Sequence, residues 1–256
     1  MNDLQNAKTN PILVLRDVSK NFGGVVAGKD INLTISGGEV LGLIGPNGAG
    51  KTTLINLITG VYPVSSGTIE FKDMDVTRKA TYQRAKLGIG RTFQHPHLID
   101  RCDIRTNIIM GSDMSKRNGR KNADSSEELH DLLVCAGLEH INMNEPVSKL
   151  AYGQQKLLEV VRVLLSHPDL ILLDEPAAGL NNRETQYVAE LISYAKKRNI
   201  GVLLIEHSMD LVMSICDRIT VLNFGTQIST GTPMEVQNDE TVIKAYLGGG
   251  ISDVKD

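Results

Sequence analysis

"VLGLIGPNGAGKTTLINLI", Val40 to Ile58, is strand-like, then glycine-rich, then helix-like. The opening VLGLI is a continuous apolar run, the pattern of a parallel strand buried on both faces. From Lys51 to Thr59 a helix is expected. Between them GPNGAGKT, Gly45 to Thr52, matches G-x-x-x-x-G-K-[ST] in the strand–loop–helix setting that a phosphate-binding loop requires. Its glycines let backbone N–H groups converge on phosphate oxygens, where the helix N-terminus adds partial positive charge. Lys51 is expected to reach the β- and γ-phosphates, and the Thr52 hydroxyl to ligate Mg²⁺. The run Gly45, Pro46, Asn47, Gly48, Ala49, Gly50, Lys51, Thr52 and Thr53 is read as binding a nucleotide.

Similar apolar runs recur at LILL (Leu170–Leu173), GVLLI (Gly201–Ile205) and ITVL (Ile219–Leu222). Helical patterns over Gln154–Ser166 and Arg183–Arg198 separate them, which predicts a mainly parallel sheet covered by helices. The N-terminal third differs: ILVLRDVSKNF, KDINLTI and SGTIEF alternate apolar and polar residues, as a small antiparallel sheet does. DMSKRNGRKNADSS, Asp113 to Ser126, is polar and basic without periodicity and reads as a solvated surface loop. With no internal repeat, the expectation is one α/β domain carrying an inserted helical piece.

Composition excludes several classes. The 256 residues carry 27 Lys+Arg against 30 Asp+Glu, a net charge of -3. That balance has neither the basic footprint of nucleic-acid binding nor a polybasic membrane anchor. Cys102, Cys135 and Cys216 lie far apart without a CxxC pair, so reduced thiols are expected rather than disulfides or zinc. The start MNDLQNAKTN lacks the apolar core of a signal peptide. No apolar run approaches the ~20 residues of a membrane span.

LILLDEP ends an apolar strand in two carboxylates, at the edge where parallel sheets present residues to ligands. Asp174 is expected to hold Mg²⁺ through water, and Glu175 to act as general base toward an attacking water. Alone, Asp-Glu at a strand end serves as a helix cap or solvated turn; the phosphate loop in the same chain decides for chemistry. LLIEHS ends another strand at His207, and Gln94 follows an apolar stretch in GRTFQHP. A polar amide there can ligate the metal or position water. LAYGQQKLLEVVRVLL, Leu150 to Leu165, puts Leu157, Val160, Val161, Leu164 and Leu165 on one helical stripe. Its entrance holds glycine and glutamines but no acid, base or thiol.

The order of phosphate loop, Gln94, LAYGQQ, LILLDEP, AAGLN and His207 resembles the ATP-binding cassette (ABC) ATPases, from about Leu13 to Leu247. The resemblance implies an α/β P-loop NTPase: a mainly parallel core sheet, an N-terminal antiparallel β subdomain and an inserted α-helical subdomain. One domain over 11–250 would divide into a nucleotide-binding core (11–97 and 158–232), a helical insert (98–157) and a C-terminal helix and tail (233–256). In that family two ATPase domains face each other head to tail, and each signature helix caps the γ-phosphate bound by the other. Ala151, Gly153 and Gln154 then serve the partner's ATP, Gly153 by permitting close backbone approach. Phe22 matches the aromatic that stacks on adenine, where tyrosine is commoner. His207 matches the residue contacting the γ-phosphate. Asn181 stands where the family usually has Asp, Ala151 replaces the usual serine, and Tyr152 replaces a glycine.

NFGGVVAGKDINLTI, GIGRTFQHPHLI, LLDEPAAGLN, the long LLIEHS…TPMEV run and VIKAYLG are similar to the ATPase subunits of bacterial branched-chain amino acid importers. That resemblance implies an ATPase with ATP and Mg²⁺ as cofactors, a second ATPase subunit (copy or paralogue) and two transmembrane permease subunits. A periplasmic or extracellular binding protein would deliver substrate. The chain would sit peripherally on the cytoplasmic face of the plasma membrane, with a permease helix docked near Gln94 to Arg105. The alternatives are a urea or amide importer, a lipopolysaccharide-type exporter, or a soluble ABC ATPase acting on DNA or ribosomes.

Overall fold

The computed structural model describes residues 11–117 and 125–247. Strands β1 (Pro11–Phe22) and β2 (Val25–Ser36) form a long antiparallel hairpin closed at Phe22 and Val25. β3 (Val40–Ile44) feeds helix α1 (Lys51–Ile58). β4 (Ser66–Phe71) pairs antiparallel with β1, and β5 (Met74–Asp75) extends that edge. After α2 (Thr81–Leu87) and the short β6 (Ile89–Arg91) comes a helical stretch. It comprises α3 (Ile104–Arg117), α4 (Ser125–Cys135), a 3₁₀ turn at Val147–Lys149 and α5 (Tyr152–Leu164). β7 (Leu170–Asp174), α6 (Asn182–Lys197), β8 (Gly201–Ile205) and α7 (Met209–Ile215) follow. β9 (Arg218–Asn223), β10 (Thr226–Gly231), α8 (Pro233–Gln237) and α9 (Glu240–Leu247) complete the described chain.

The strands run in the order β5-β4-β1-β2-β10-β9-β3-β8-β7-β6. From β9 to β6 every neighbouring pair is parallel. β10 turns back antiparallel on β9 and meets β2 through the single pairing of Thr226 with Lys29. This is the expected α/β arrangement, a parallel core joined to an antiparallel N-terminal part. The continuous apolar runs have a simple cause, because successive side chains leave opposite faces of a strand and both faces are covered. Val40, Ile171, Leu173, Val202 and Leu204 enter one core with α3 to α6. Their neighbours Leu41, Leu170, Leu172, Leu203 and Ile205 enter a second core with α1 and the β1–β2–β4 layer.

Three expectations change. The polar run from Asp113 is not loop throughout: α3 extends to Arg117 and α4 begins at Ser125, while 118–124 lie outside the described residues. Met, Lys and Arg at 114, 116 and 117 are intrinsic helix formers, so a polar run lacking periodicity still prolongs a nucleated helix. The C-terminal region holds two short helices rather than one. Thr232 and Glu235 form a capping box that starts α8 behind Pro233, and Asn238 and Asp239 break the path before α9; the tail 248–256 lies outside the described residues. Helix α5 also starts two residues earlier than expected and runs unbroken through residue 157. All three cysteines are free, and burial pushes the Cys216 thiol up to about 12.

One buried cation ties α1 to the rest of this core. Arg84 is 2 % exposed, and its guanidinium donates to Leu57 O (2.7 Å), Ile58 O (2.8 Å), Thr77 O (2.9 Å) and Lys79 O (3.0 Å). Two of these are carbonyls at the C-terminal end of α1, where the helix dipole favours a cation. Arg84→Met should strip all four carbonyls of their guanidinium donor, leaving Leu57 O only the Gly60 amide, and cost about 2–4 kcal/mol. Chemical denaturation at neutral pH measures this, and a midpoint unchanged from wild type would show that the arginine is dispensable.

Candidate functional site

The phosphate-loop geometry follows from close backbone approach. Gly45 has φ 151°, and a Cβ there would stand 2.1 Å from Leu222 O; Gly50 has φ 102°, and its Cβ would stand 2.5 Å from Ala27 O. No side chain fits at either point, so the turn between β3 and α1 requires glycine. Asn47 and Gly48 are exposed at the loop tip, Pro46 is half-buried, and Ala49 is buried. Ala49 O accepts from Gly225 N (2.9 Å), seating the loop on the β9–β10 turn. Thr52 is exposed and Thr53 half-buried in the first turn of α1, which contains no acidic residue. Lys51 is buried, its Nζ donating to Gly45 O (2.7 Å) and Pro46 O (3.1 Å). Burial lowers its pKa, while the charges of Glu175 and Asp174 raise it. The ammonium therefore lies over its own loop, in the field of both carboxylates.

Those carboxylates lie at the end of β7. Asp174 is buried, with Arg91 Nη2 3.3 Å from its Oδ2. Desolvation raises the Asp174 pKa, and Arg91 opposes that rise. Glu175 turns away from the strand at φ 51° and donates its N–H to Ile205 O (2.9 Å). Its carboxylate receives Gln94 Nε2 on Oε2 (3.1 Å) and stands 3.0 Å from His207 Nε2 through Oε1, a contact that makes Nε2 the protonated ring nitrogen. Gln94, Glu175 and His207, far apart in sequence, thus meet at the ends of β6, β7 and β8.

Phe22 sits at the hairpin tip, edge-on to Tyr62 with ring centroids 5.2 Å apart and Lys20 Nζ 4.8 Å from its centroid. It is 42 % exposed. Five residues on, Ala27 packs against Gly50, which places the hairpin beside the phosphate loop. The signature residues make no described hydrogen bond to that loop. Ala151 is the N-cap of α5; it offers no side-chain cap, and Gln154 Oε1 accepts its N–H instead (3.0 Å). Tyr152 Oη reaches Gln94 O (3.4 Å). Gly153 is buried, and a Cβ on it would stand 2.3 Å from Glu184 Oε1. Glu184 is held in turn by Asn181, which caps α6: Asn181 N donates to Glu184 Oε2 and Glu184 N to Asn181 Oδ1, both at 3.0 Å.

Two residues of the site escaped sequence reasoning. Arg91, besides pairing Asp174, donates to Asn56 Oδ1 (2.6 Å) and links α1 to the carboxylates. Its signal is weak, a single base closing a three-residue strand. Glu206 is buried and accepts from Ala177 N (2.6 Å) and His207 N (3.1 Å), joining the loops after β7 and β8. A carboxylate directly after an apolar strand, as in VLLIE, was a readable signal. For a metal, the Thr52 hydroxyl, the Gln94 carbonyl and the Asp174 carboxylate are all hard oxygen donors. No group of three or more His, Cys, Asp or Glu able to hold a metal occurs among the described residues. Oxygen donors of this kind suit Mg²⁺, which takes its other ligands from phosphate and water.

Residues 28–178 match the family described as ABC transporter, and residues 226–251 match one described as Branched-chain amino acid ATP-binding cassette transporter. The chain is 39 % identical over 254 residues to the high-affinity branched-chain amino acid transport ATP-binding protein LivG of Escherichia coli, covering 94 % of this chain and 99 % of the relative. It is 36 % identical over 257 residues to BraF, of the same description, from Pseudomonas aeruginosa, at 94 % and 99 % coverage. The crystal structure of an ATP-binding cassette of an ABC transporter in its ADP conformation superposes with a TM-score of 0.80 at 29 % identity, covering 93 % of this chain and 99 % of the other.

The Gly153–Glu184 contact generates a prediction within a single chain. Gly153→Ala should displace the Glu184 carboxylate and weaken the α6 cap, costing about 1 kcal/mol. In a Glu184→Ala background the same change should cost much less, because the clash is gone. A double-mutant cycle of unfolding free energies measures the coupling, and additive effects would refute it.

Proposed function

This chain belongs to the ABC transporter family, and on that premise we propose that it is the ATP-hydrolysing subunit that powers import of branched-chain amino acids. The observation that carries the catalytic part is the convergence of Gln94 and His207 on the Glu175 carboxylate, at the strand edge next to the phosphate loop. Backbone N–H groups of Gly48, Gly50 and Lys51 cradle the phosphates of ATP, and the Lys51 ammonium exchanges its two carbonyl partners for phosphate oxygens, a stronger charge-assisted contact. Phe22 stacks on the adenine. Thr52, Gln94 and Asp174 hold Mg²⁺, which neutralises phosphate charge when bound. Glu175 takes the proton from the water that attacks the γ-phosphorus, and His207 orients that attack. Ala151, Gly153 and Gln154 cap the ATP held by a facing subunit.

Transport requires partners, and no helix among the described residues is long and apolar enough to cross a membrane. The chain works on the cytoplasmic face through two permease subunits fed by a substrate-binding protein. A cleft of about 300 Å³ between β6 and helices α2, α3 and α5, lined by Val61, Arg91, Phe93, Met110, Arg162 and Val163, suits a docked permease helix. Its lining includes Phe93, next in sequence to the Gln94–Arg105 segment, and its mixed apolar and cationic character supports that reading. The substrate assignment draws on the match of residues 226–251 and on the relatives LivG and BraF.

Glu175→Gln should slow turnover on the order of 10²–10⁴-fold while leaving ATP affinity intact. Steady-state hydrolysis and nucleotide titration test this, with near-normal turnover counting against Glu175. Reconstituted with its permease and binding protein, the complex should hydrolyse ATP faster when leucine, isoleucine or valine is supplied. Stimulation by urea or a lipid alone would sink the substrate assignment and leave the ATPase reading standing.

A further inference from the structure

Helix α5 reaches the catalytic edge of its own chain through a buried lysine. Lys156 is 3 % exposed, and its Nζ donates to the main-chain carbonyl of Glu175 at 2.6 Å. It stands one turn beyond Tyr152 on the same helix face, with Nζ 5.6 Å from the Tyr152 ring. Glu175 itself holds the left-handed conformation, φ 51°, that bulky residues rarely adopt and keep only when their surroundings enforce it. Three contacts hold the main chain of Glu175 in place. Its N–H donates to Ile205 O within the sheet; its carbonyl accepts from Ala178 N (3.2 Å) within the following turn and from the Lys156 ammonium, on the helix that bears Gly153.

A plainer role for Lys156 is to neutralise the buried acids around it, since Glu206, Glu175, Glu159 and Asp174 all act on its charge. All four have donors of their own, Asp174 from Arg91 and Glu175 from Gln94. Glu206 accepts from Ala177 N and His207 N, and Glu159 from Phe93 N and His97 N. Neither directs an ammonium onto a carbonyl. Beside the longer turn contact from Ala178 N, Lys156 supplies the short, charged hydrogen bond that ties the Glu175 carbonyl to α5 and sets its direction.

We propose that Lys156 is a positioning residue for ATP hydrolysis, fixing the Glu175 peptide so that its carboxylate faces the attacking water, and so tying the signature helix to the base of its own site. This rests on the reading of Glu175 as general base. Displacing α5 then displaces the base, so the helix that caps a partner's ATP also sets whether its own chain can hydrolyse.

The test uses the full-length chain with Mg-ATP, scoring turnover per nucleotide-binding site by titration with a fluorescent ATP analogue, beside thermal melting. Lys156→Met should lower kcat on the order of 10²-fold with KM and binding stoichiometry unchanged, the loss expected of a misplaced catalytic group. Lys156→Arg, whose guanidinium can reach the same carbonyl, should restore most of kcat. Unchanged kcat per site in Lys156→Met overturns the proposal. So does a loss that follows KM, or one that Lys156→Arg fails to repair while binding and melting like wild type. Should Lys156→Met not fold, Lys156→Gln, which keeps a donor without the charge, is scored by the same criteria. Failure of the underlying reading looks different: Glu175→Gln then retains turnover, whatever Lys156 variants do.

Discussion

Parallel strand register is the constraint on which the site depends. Ile205 pairs with Asp174 on one side and with Leu43 on the other, so β7, β8 and β3 end at the same level. The residues that follow, Glu175, Glu206 with His207, and the phosphate loop from Gly45, are therefore delivered to one edge. A one-residue slip of β7 would turn Asp174 to the opposite face and carry Glu175 away from His207. The cores on both faces oppose that slip, because Leu170, Leu172 and Ile171, Leu173 enter different clusters. Packing far from the chemistry thus sets distances of about 3 Å within it.

The same edge concentrates charge where water is scarce. Lys51 and Asp174 are both buried, and desolvation pushes each toward its neutral form. Opposite charge works against that push, Glu175 and Asp174 at Lys51, and Arg91 at Asp174. Glu175 is different. It is half-buried and its two described side-chain partners are an amide and an imidazole, not a guanidinium or an ammonium.

How much of this was legible depended on the range of the interaction. The phosphate loop, the buried strands and the amphipathic α5 and α6 are local patterns with local physics, and they could be read directly. Glu175 and His207 were readable as candidates because each follows an apolar strand, and Gln94 through its place in the order of motifs, although their meeting is a tertiary fact. β6 was not readable: three residues, one of them glycine, carry no periodicity, and the strand exists because β7 offers it an edge. Arg84 and Lys156 were missed for a related reason. Each is a charged residue in a helix, the composition of a solvated face, and only packing shows that its head group is enclosed by carbonyls. Gly153 was read for what it allows a partner to approach; its contact with Glu184 depends on how α5 crosses α6, which spacing along one helix does not encode.

The segment from Phe93 to His97 shows how two kinds of anchoring divide the labour. Helix α5 grips it four times: Glu159 accepts from Phe93 N and His97 N, Arg162 donates to His97 O at 2.7 Å, and Tyr152 donates to Gln94 O. Toward the strand ends, its one described side-chain hydrogen bond runs from Gln94 to Glu175. Burial raises the Glu159 pKa against those backbone donors, so this grip is made by a carboxylate that has given up solvent to hold two amides. Such a clamp makes segment and helix one body, while the amide–carboxylate contact at 3.1 Å is weaker and more easily remade. A force applied in the cleft beside Phe93 and Arg162 is therefore carried by α5 first, and reaches Glu175 by two routes, the short Lys156 contact to its carbonyl and the weaker Gln94 contact to its carboxylate.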